Sequence, residues 1–325
     1  MAIRVPDSAT FCLGNVIIAV EDHAGAINDC LQSAFDNSID GYFDPTYKGT
    51  KTCQYNFRNY GPPYCYVSYQ DYQNSSSVFD SNARGLWLTE TGLVMFILYR
   101  DYTIKRYSLS TAWNVSTASY SFSGSLTSPY YYSGLYWRYD GMVFYTINSS
   151  LTRLERWNVT SPFDPSTGSY NSSWDFSSYD TGMLAIYFNS AGTRMYLVGN
   201  QYTYTKLYQF NLSSAWTISS GVSYSYTLDI STLHPCNGVF LSSDGKRIYT
   251  QQQYPNYIRQ INLGTANELS TYWWDCLGAF NSYYDTHAAG LFIRERLEDS
   301  ELDVYIPGNE NNRVYHFITH ETSLG

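Results

Sequence analysis

Short apolar runs that follow a glycine recur five times along the chain. They are RGLWL at Gly85, SGLYW at Gly134, TGMLAIYF at Gly182, NGVFL at Gly238 and AGLFI at Gly290. A turn sequence and a second apolar run come after each, as in SSDGKRIYT at 242–250. Because Asp-Gly between two apolar runs is a hairpin signal, the pattern predicts two paired strands at the start of every unit.

Two more short runs complete the unit. Third strands are predicted at 104–109, 154–159, 207–212, 258–263 and 314–319, and fourth strands begin near 117, 167, 221 and 270. Four short strands in about fifty residues is the period of a propeller blade. The sequence therefore predicts an all-β fold, a five-bladed β-propeller with four-stranded blades.

A repeated phrase links the third strand to the fourth. LSTAWNVSTASYSFS at 109–123 and LSSAWTISSGVSYSY at 212–226 match closely, and the second unit has Phe163 in place of the tryptophan. We expect Trp113, Phe163 and Trp216 to fill the gaps between neighbouring blades. The fourth unit, LGTANELSTYWW, has no aromatic residue at this position.

The fifth unit has only three predicted strands before the chain ends. A blade that lacks its outer strand leaves an open edge, which proteins avoid. The alternating stretch CYVSYQDYQNSSSVFD at 65–80 belongs to no unit. We expect it to supply the missing strand, so that N-terminal and C-terminal strands close the ring together.

The first sixty residues differ from the repeat. Residues 23–40 place Ile27, Cys30, Leu31 and Phe35 at helical spacing, and FRNYGPP at 57–63 has the composition of a linker. The predicted domains are therefore a small, partly helical module at 1–63 and a propeller at 64–325. The N-terminus lacks a charged segment and a small-residue cleavage site, so no signal peptide is predicted.

The amino-acid composition indicates which classes of binding partner to expect. Tyrosine occurs 35 times, aromatic residues make up 18% of the chain, charged residues make up 14%, and the net charge is −9. Nucleic-acid binding is not expected, because it requires clustered Lys and Arg. A surface rich in hydroxyl and aromatic groups suits contact with sugars.

Catalytic and metal sites are not predicted. His316 and His320 lie four apart on a predicted strand, roughly 13 Å from each other, too far to share one metal ion. Asp140 and EDSELD at 298–303 fall in predicted turns, where Asp is commonly a turn former. No cofactor motif is present. The six cysteines fit no zinc site; they are free thiols, or bridges join Cys236 to Cys276 or Cys53 to Cys65.

Tyrosines in loops are the candidate ligand-binding residues. They occur in SPYYYSG, NQYTYTK and QQQYPNY, and a tyrosine ring offers a flat apolar face with a polar tip. The alternative is that they pack between blades. The predicted ligand-binding residues are Tyr130, Tyr131, Tyr132, Tyr202, Tyr204, Tyr254 and Tyr257.

The repeat resembles the propeller repeats of bacteriophage structural and tail-associated proteins. The resemblance lies in the hairpin FLSSDGKRIY at 240–249, in LYQFNLSSAW and in TISSGVSYSY. The leader, with RVPDSATFCLGNVIIAV, FDPTYKG and YNFRNYG, resembles leaders of virion proteins of Bacteroidetes phages. The second unit departs from the pattern with TSPFDPS, and the fifth lacks the turn glycine.

The resemblance implies a virion protein, and three alternative functions are open. The first is a non-enzymatic spike or tail-tip component, in which residues 1–63 bind other virion proteins and the propeller loops bind a host glycan or receptor. The second is a structural vertex or decoration protein. The third is a glycan-hydrolysing propeller enzyme, which needs two carboxylates about 5–10 Å apart. The implied location is the virion, after synthesis in the host cytoplasm, within a symmetric assembly.

Overall fold

A computed structural model describes residues 8–13, 16–21, 79–127, 130–201, 204–230, 236–253, 256–279, 289–296, 301–308 and 312–320. The chain divides into two compact units, Met1–Pro62 and Pro63–Gly325. Within these described ranges the structure is all β, apart from short 3₁₀ turns at Val115–Thr117, Pro165–Thr167 and Leu269–Thr271. They contain no helix with the length and hydropathy needed to cross a membrane.

The first unit contains an antiparallel hairpin of β1 (Ser8–Leu13) and β2 (Val16–Glu21). This hairpin was not predicted, although Gly-Asn between two apolar runs is a two-residue hairpin signal. The predicted helical segment at 23–40 lies outside the described residues.

The second unit is a five-bladed β-propeller, as the repeat predicts. Blade 1 contains β3 (Ala83–Leu88), β4 (Val94–Tyr99), β5 (Thr103–Leu109) and β6 (Ala118–Ser125). Blade 2 contains β7 (Tyr132–Trp137), β8 (Val143–Asn148), β9 (Arg153–Asn158) and β10 (Ser169–Asp175). Blade 3 contains β11 (Met183–Phe188), β12 (Arg194–Gln201), β13 (Tyr204–Leu212) and β14 (Val222–Asp229).

Blade 4 contains β15 (Cys236–Leu241), β16 (Arg247–Gln253), β17 (Asn256–Leu263) and β18 (Tyr272–Ala279). Blade 5 has three described strands, β19 (Phe292–Arg296), β20 (Glu301–Pro307) and β21 (Val314–His320). The predicted closing strand at 65–80 lies outside the described residues except for its last two positions. Of these, Phe79 is buried and its ring lies 5.1 Å from that of Tyr107 in blade 1.

The first strand of each blade lines the centre of the propeller and contacts the first strands of both neighbouring blades. These strands approach closely at the repeated glycine: a Cβ on Gly85 would lie 2.9 Å from the Leu135 nitrogen. In blade 3 the equivalent residue is Ala185, which pairs with Val198 as Gly85 pairs with Leu98. The predicted alignment on Gly182 was therefore wrong by three positions. The position requires a small residue, which in blade 3 is an alanine and not the nearby glycine.

A ring of five aromatic side chains fills the centre. They occupy equivalent positions two residues after the small residue: Trp87, Tyr136, Tyr187, Phe240 and Phe292. Neighbouring ring centroids lie 4.6 to 5.8 Å apart around the circle. Such aromatic contacts add to the free energy gained by burying apolar area, so the ring is a core that joins all five blades.

The repeated tryptophan phrase lies between blades, as predicted. Trp216 of blade 3 packs against Tyr136 of blade 2, with ring centroids 6.0 Å apart. Trp113 packs against Phe292 of blade 5, and Phe163 against Phe96 of blade 1. In blade 4 the equivalent residue is Asn267, which has positive φ like the three aromatic residues.

A tyrosine hydroxyl fastens most of these links to the preceding blade. The hydroxyl of Tyr145 donates to the Trp216 carbonyl at 2.5 Å, and that of Tyr196 donates to the Asn267 carbonyl at 2.7 Å. Tyr305 of blade 5 donates to the carbonyl of Trp113 in blade 1 at 3.0 Å. The blades are therefore joined by a repeated polar contact as well as by apolar packing.

Candidate functional site

The strands that flank the three tyrosine-rich segments end on the same side of the propeller. SPYYYSG enters the first strand of blade 2, whereas NQYTYTK and QQQYPNY join the second and third strands of blades 3 and 4. In an antiparallel blade, the start of the first strand and the loop between the second and third strands lie at the same end. We call this the loop end. The opposite end, where the first strand turns into the second, is the turn end.

The described tyrosines of the loop end differ in exposure. Tyr131 is 56% exposed, and the Arg100 guanidinium lies 5.1 Å from the centroid of its ring. Tyr130 is partly buried against the core between blades 1 and 2. Tyr132 is only 2% exposed, so it does not offer the free ring face that the loop pattern predicts.

The other four predicted residues are less fully placed. Tyr204 lies in β13 opposite Gln201, and Tyr257 lies in β17 opposite Gln252. Their side chains lie outside the described part of the structure, as do Tyr202 and Tyr254 altogether.

A buried carboxylate supports the tyrosine loop of blade 2. Glu155 in β9 is 5% exposed; it accepts hydrogen bonds from the Tyr132 hydroxyl at 3.2 Å and from Asn148 Nδ2 at 2.8 Å. Burial raises the pKa of Glu155, and the hydrogen bonds oppose that rise only in part. This carboxylate therefore anchors the last tyrosine of the loop to the third strand.

Blade 3 has a similar anchor. Asp180, which precedes β11, accepts from the Gly182 backbone nitrogen at 2.7 Å and from the Tyr208 hydroxyl at 3.1 Å. The carboxylate is 3% exposed and ties the segment between two blades to β13. Neither anchor was predicted as a site residue, because RLERWN around Glu155 and SSYDTG around Asp180 carry no distinctive motif.

A cluster of charged side chains lies on blade 5. The turn predicted at 298–303 is wrong for its last three residues, because they belong to β20. Asp303 is buried there and accepts from Arg294 Nη1 at 3.1 Å and from Arg296 Nη2 at 2.7 Å. The Nε2 atom of His316 in β21 lies 2.8 Å from the same carboxylate, and the imidazole stacks on Tyr305 with centroids 4.5 Å apart. Burial alone would raise the pKa of Asp303, but hydrogen bonds from His316 and Arg296 outweigh it and hold the value at about 2.

The Asp303 cluster connects blade 5 to blade 1. The Arg294 guanidinium lies 4.7 Å from the centroid of the Trp113 ring, a cation–π contact across the blade boundary. His316 lies on a strand, as predicted. Among the described residues no group of three or more His, Cys, Asp or Glu side chains is placed to hold a metal ion.

Two smaller predictions concern Asp140 and the cysteines. Asp140 is a turn former, as expected: its Oδ1 accepts from the Met142 nitrogen at 3.0 Å and from Arg138 Nε at 2.8 Å. Cys236 is buried with a free thiol, so the alternative bridge from Cys236 to Cys276 is wrong. Burial raises the pKa of Cys236 to about 11, which keeps the thiol protonated and unreactive at neutral pH.

No family model matches the chain, and no curated protein matches it. Among solved structures, a putative 6-phosphogluconolactonase from Bacteroides uniformis is 14% identical, with a TM-score of 0.42, over 72% of this chain and 70% of that one. The β-propeller domain of Cps50 (Swd1) from Myceliophteria thermophila is 8% identical, with a TM-score of 0.43, over 77% and 99%. Similarities this low carry no argument about activity.

Proposed function

We propose that the chain is a non-enzymatic attachment protein of a bacteriophage virion, a spike or tail-tip component whose propeller binds a glycan or receptor on the host surface. The observation that carries the binding role is the loop end, where Tyr131 stands 56% exposed among three tyrosine-rich loops. Exposed tyrosines supply contact area at low conformational cost.

The buried acids favour binding over hydrolysis. Glu155, Asp180 and Asp303 each accept hydrogen bonds from fixed donors that join strands or blades. A glycosidase instead directs two carboxylates at one bond of the substrate. The roles of these three residues are explained by the fold alone.

The virion role rests on the resemblance of the leader and the repeat to phage proteins. In this proposal residues 1–63 anchor the chain to other virion proteins. A vertex or decoration protein is the second candidate, because the same leader and propeller would serve as a docking platform there.

The test is binding of the labelled full chain to intact Bacteroidetes cells. We expect saturable binding that Tyr131→Ala weakens by about tenfold, since truncation of a central aromatic contact commonly costs more than 1 kcal/mol. Tyr139→Ala is the matched control, because Tyr139 is 65% exposed but lies at the turn end. Equal loss in both variants would contradict the loop-end site, and absence of binding across isolates would favour the vertex or decoration role.

A further inference from the structure

Three outermost strands present an exposed tyrosine at the same position. Tyr120 on β6, Tyr170 on β10 and Tyr224 on β14 are 53%, 51% and 49% exposed. Each lies opposite a buried aromatic residue of the third strand, in turn Tyr107, Trp157 and Phe210. Since the blades are repeats of one unit, the recurrence of a large exposed ring at one site is informative. We call these three tyrosines the wall tyrosines.

The backbone orients the wall tyrosines outward. The register of each outermost strand shifts directly after the tyrosine, between Tyr120 and Phe122, Tyr170 and Ser172, and Tyr224 and Tyr226. Such β-bulges bend a strand and redirect a side chain. The same local distortion in three blades therefore gives the three rings equivalent positions.

Packing holds the rings while leaving about half of each in solvent. Their centroids lie 6.2, 5.9 and 6.2 Å from those of the buried aromatic residues, in edge-to-face geometry. The hydroxyls of Tyr120 and Tyr170 also donate to the serine three residues on, at 3.3 and 3.0 Å. A ring fixed before binding loses little conformational entropy when a ligand covers it.

The third blade has a wider platform. Tyr179 is 39% exposed, and its ring is stacked on that of Tyr224 with an interplanar angle of 14° and a centroid separation of 5.9 Å. Two nearly parallel rings thus lie side by side on the outer wall.

The outermost strands that carry these rings have few charges, and two arginines on the neighbouring third strands already have partners. The Arg106 guanidinium lies 5.1 Å from the centroid of the Phe122 ring, and Arg156 Nη1 donates to Asn171 Oδ1 at 2.8 Å. The three strands read ASYSFSGS, SYNSSWD and VSYSYTLD, and their only charged residues are the terminal aspartates of the second and third. A surface that recognises nucleic acid or a charged peptide presents complementary charge. Aromatic faces among hydroxyls and amides instead match a neutral sugar, which has an apolar C–H face and a hydroxyl rim.

We propose that the wall tyrosines form a repeated binding surface for a neutral saccharide chain, with one stacking site on each of blades 1 to 3. The inference rests on the proposed attachment function and names its ligand class and a surface separate from the loop end. Three weak sites on one rigid ring bind a polymer far more tightly than one site does, because the later contacts are intramolecular.

The experiment measures binding of the full chain to an array of bacterial polysaccharides printed at high and low density. Binding to uncharged and to acidic polymers is scored separately. The test variant combines Tyr120→Ala, Tyr170→Ala and Tyr224→Ala. We expect wild-type binding to uncharged polymers that rises steeply with density, at least a tenfold loss in the triple variant, and about a two- to threefold loss in each single variant. Tyr139→Ala, which changes an exposed tyrosine at the turn end, should retain array binding.

Thermal unfolding and circular dichroism establish that the triple variant is folded; if it is not, the three single variants carry the test. No array binding by the wild type, preference for acidic polymers, or equal binding by the variants would overturn the inference. So would a wild-type oligomer that becomes monomeric in the triple variant while array binding is unchanged, since the wall would then contact a second copy of the chain. Array binding through the wall without cell binding would support this inference and contradict the attachment function. Cell binding that the triple variant leaves unchanged would support the attachment function and contradict this inference.

Discussion

Two buried carboxylates in different blades have opposite protonation behaviour. Glu155 in blade 2 is 5% exposed and has neutral donors, a tyrosine hydroxyl and an amide, so burial raises its pKa. Asp303 in blade 5 is 1% exposed, and burial alone would raise its pKa, yet His316 and Arg296 hold the value at about 2. The comparison shows that depth of burial does not by itself decide the direction in which the pKa of an acid shifts, because charged partners can outweigh it.

The largest expected effect is that of Asp303→Asn. The variant should lose about 3 kcal/mol of unfolding free energy at pH 7, because it leaves the two arginines without their counter-charge. The folded pKa lies below the ordinary value of about 3.9, so the stabilisation is present above that value and is lost as pH falls toward 2. Urea unfolding of both proteins between pH 2 and 7 tests this.

The difference between wild type and Asp303→Asn should therefore shrink on acidification. Asp101→Asn, which changes an exposed carboxylate in the loop after β4, is the control and should have a small effect. A difference that stays constant across the pH range would mean that the aspartate contributes by packing and not by its charge.

Glu155→Gln should raise the free energy of unfolding, which is the opposite of the effect expected for Asp303→Asn. A raised folded pKa means that the contribution of Glu155 is fully present below its unfolded pKa and is lost as pH rises through the folded value. The glutamine cannot ionise, so it should gain on the order of 1–2 kcal/mol over wild type between pH 4 and pH 8. Thermal unfolding at a series of pH values measures this gain in stability, with Glu90→Gln, which changes an exposed carboxylate, as control. Lower stability of Glu155→Gln than of wild type at high pH would contradict the prediction, because the hydrogen bonds would then stabilise the carboxylate by more than its burial costs.

The smallest expected effect concerns uncharged groups, the hydroxyls of two buried tyrosines. Tyr196 and Tyr249 occupy equivalent positions and are both buried, but the Tyr196 hydroxyl donates to Asn267 whereas that of Tyr249 has no partner among the described residues. Tyr196→Phe should cost about 1 kcal/mol, and Tyr249→Phe should cost close to nothing. Equal losses in urea unfolding would indicate that Tyr249 has a partner outside the described ranges.

Much of the propeller was predictable because its strands repeat. The five hairpins, the third and fourth strands, and the place of Trp113, Phe163 and Trp216 between blades follow from local spacing and turn residues. The glycine of blade 3 was misplaced because the close approach of inner strands accepts an alanine as well. The loop tyrosines were found by pattern, yet Tyr132 proved to be buried, since alternation along a strand does not show which face a neighbouring blade covers.

The sequence by itself determined the number of blades, the period of the strands and the acidic net charge, because these depend on residues near one another in the chain or on composition. The tertiary structure decided in which direction the pKa of each buried acid shifts, which hydroxyls have partners and which tyrosines face solvent. Those properties depend on groups brought together from distant positions, as when Arg194 meets Glu268 or Tyr305 meets Trp113. The local pattern specifies each blade, and only the closed ring specifies what surrounds a side chain.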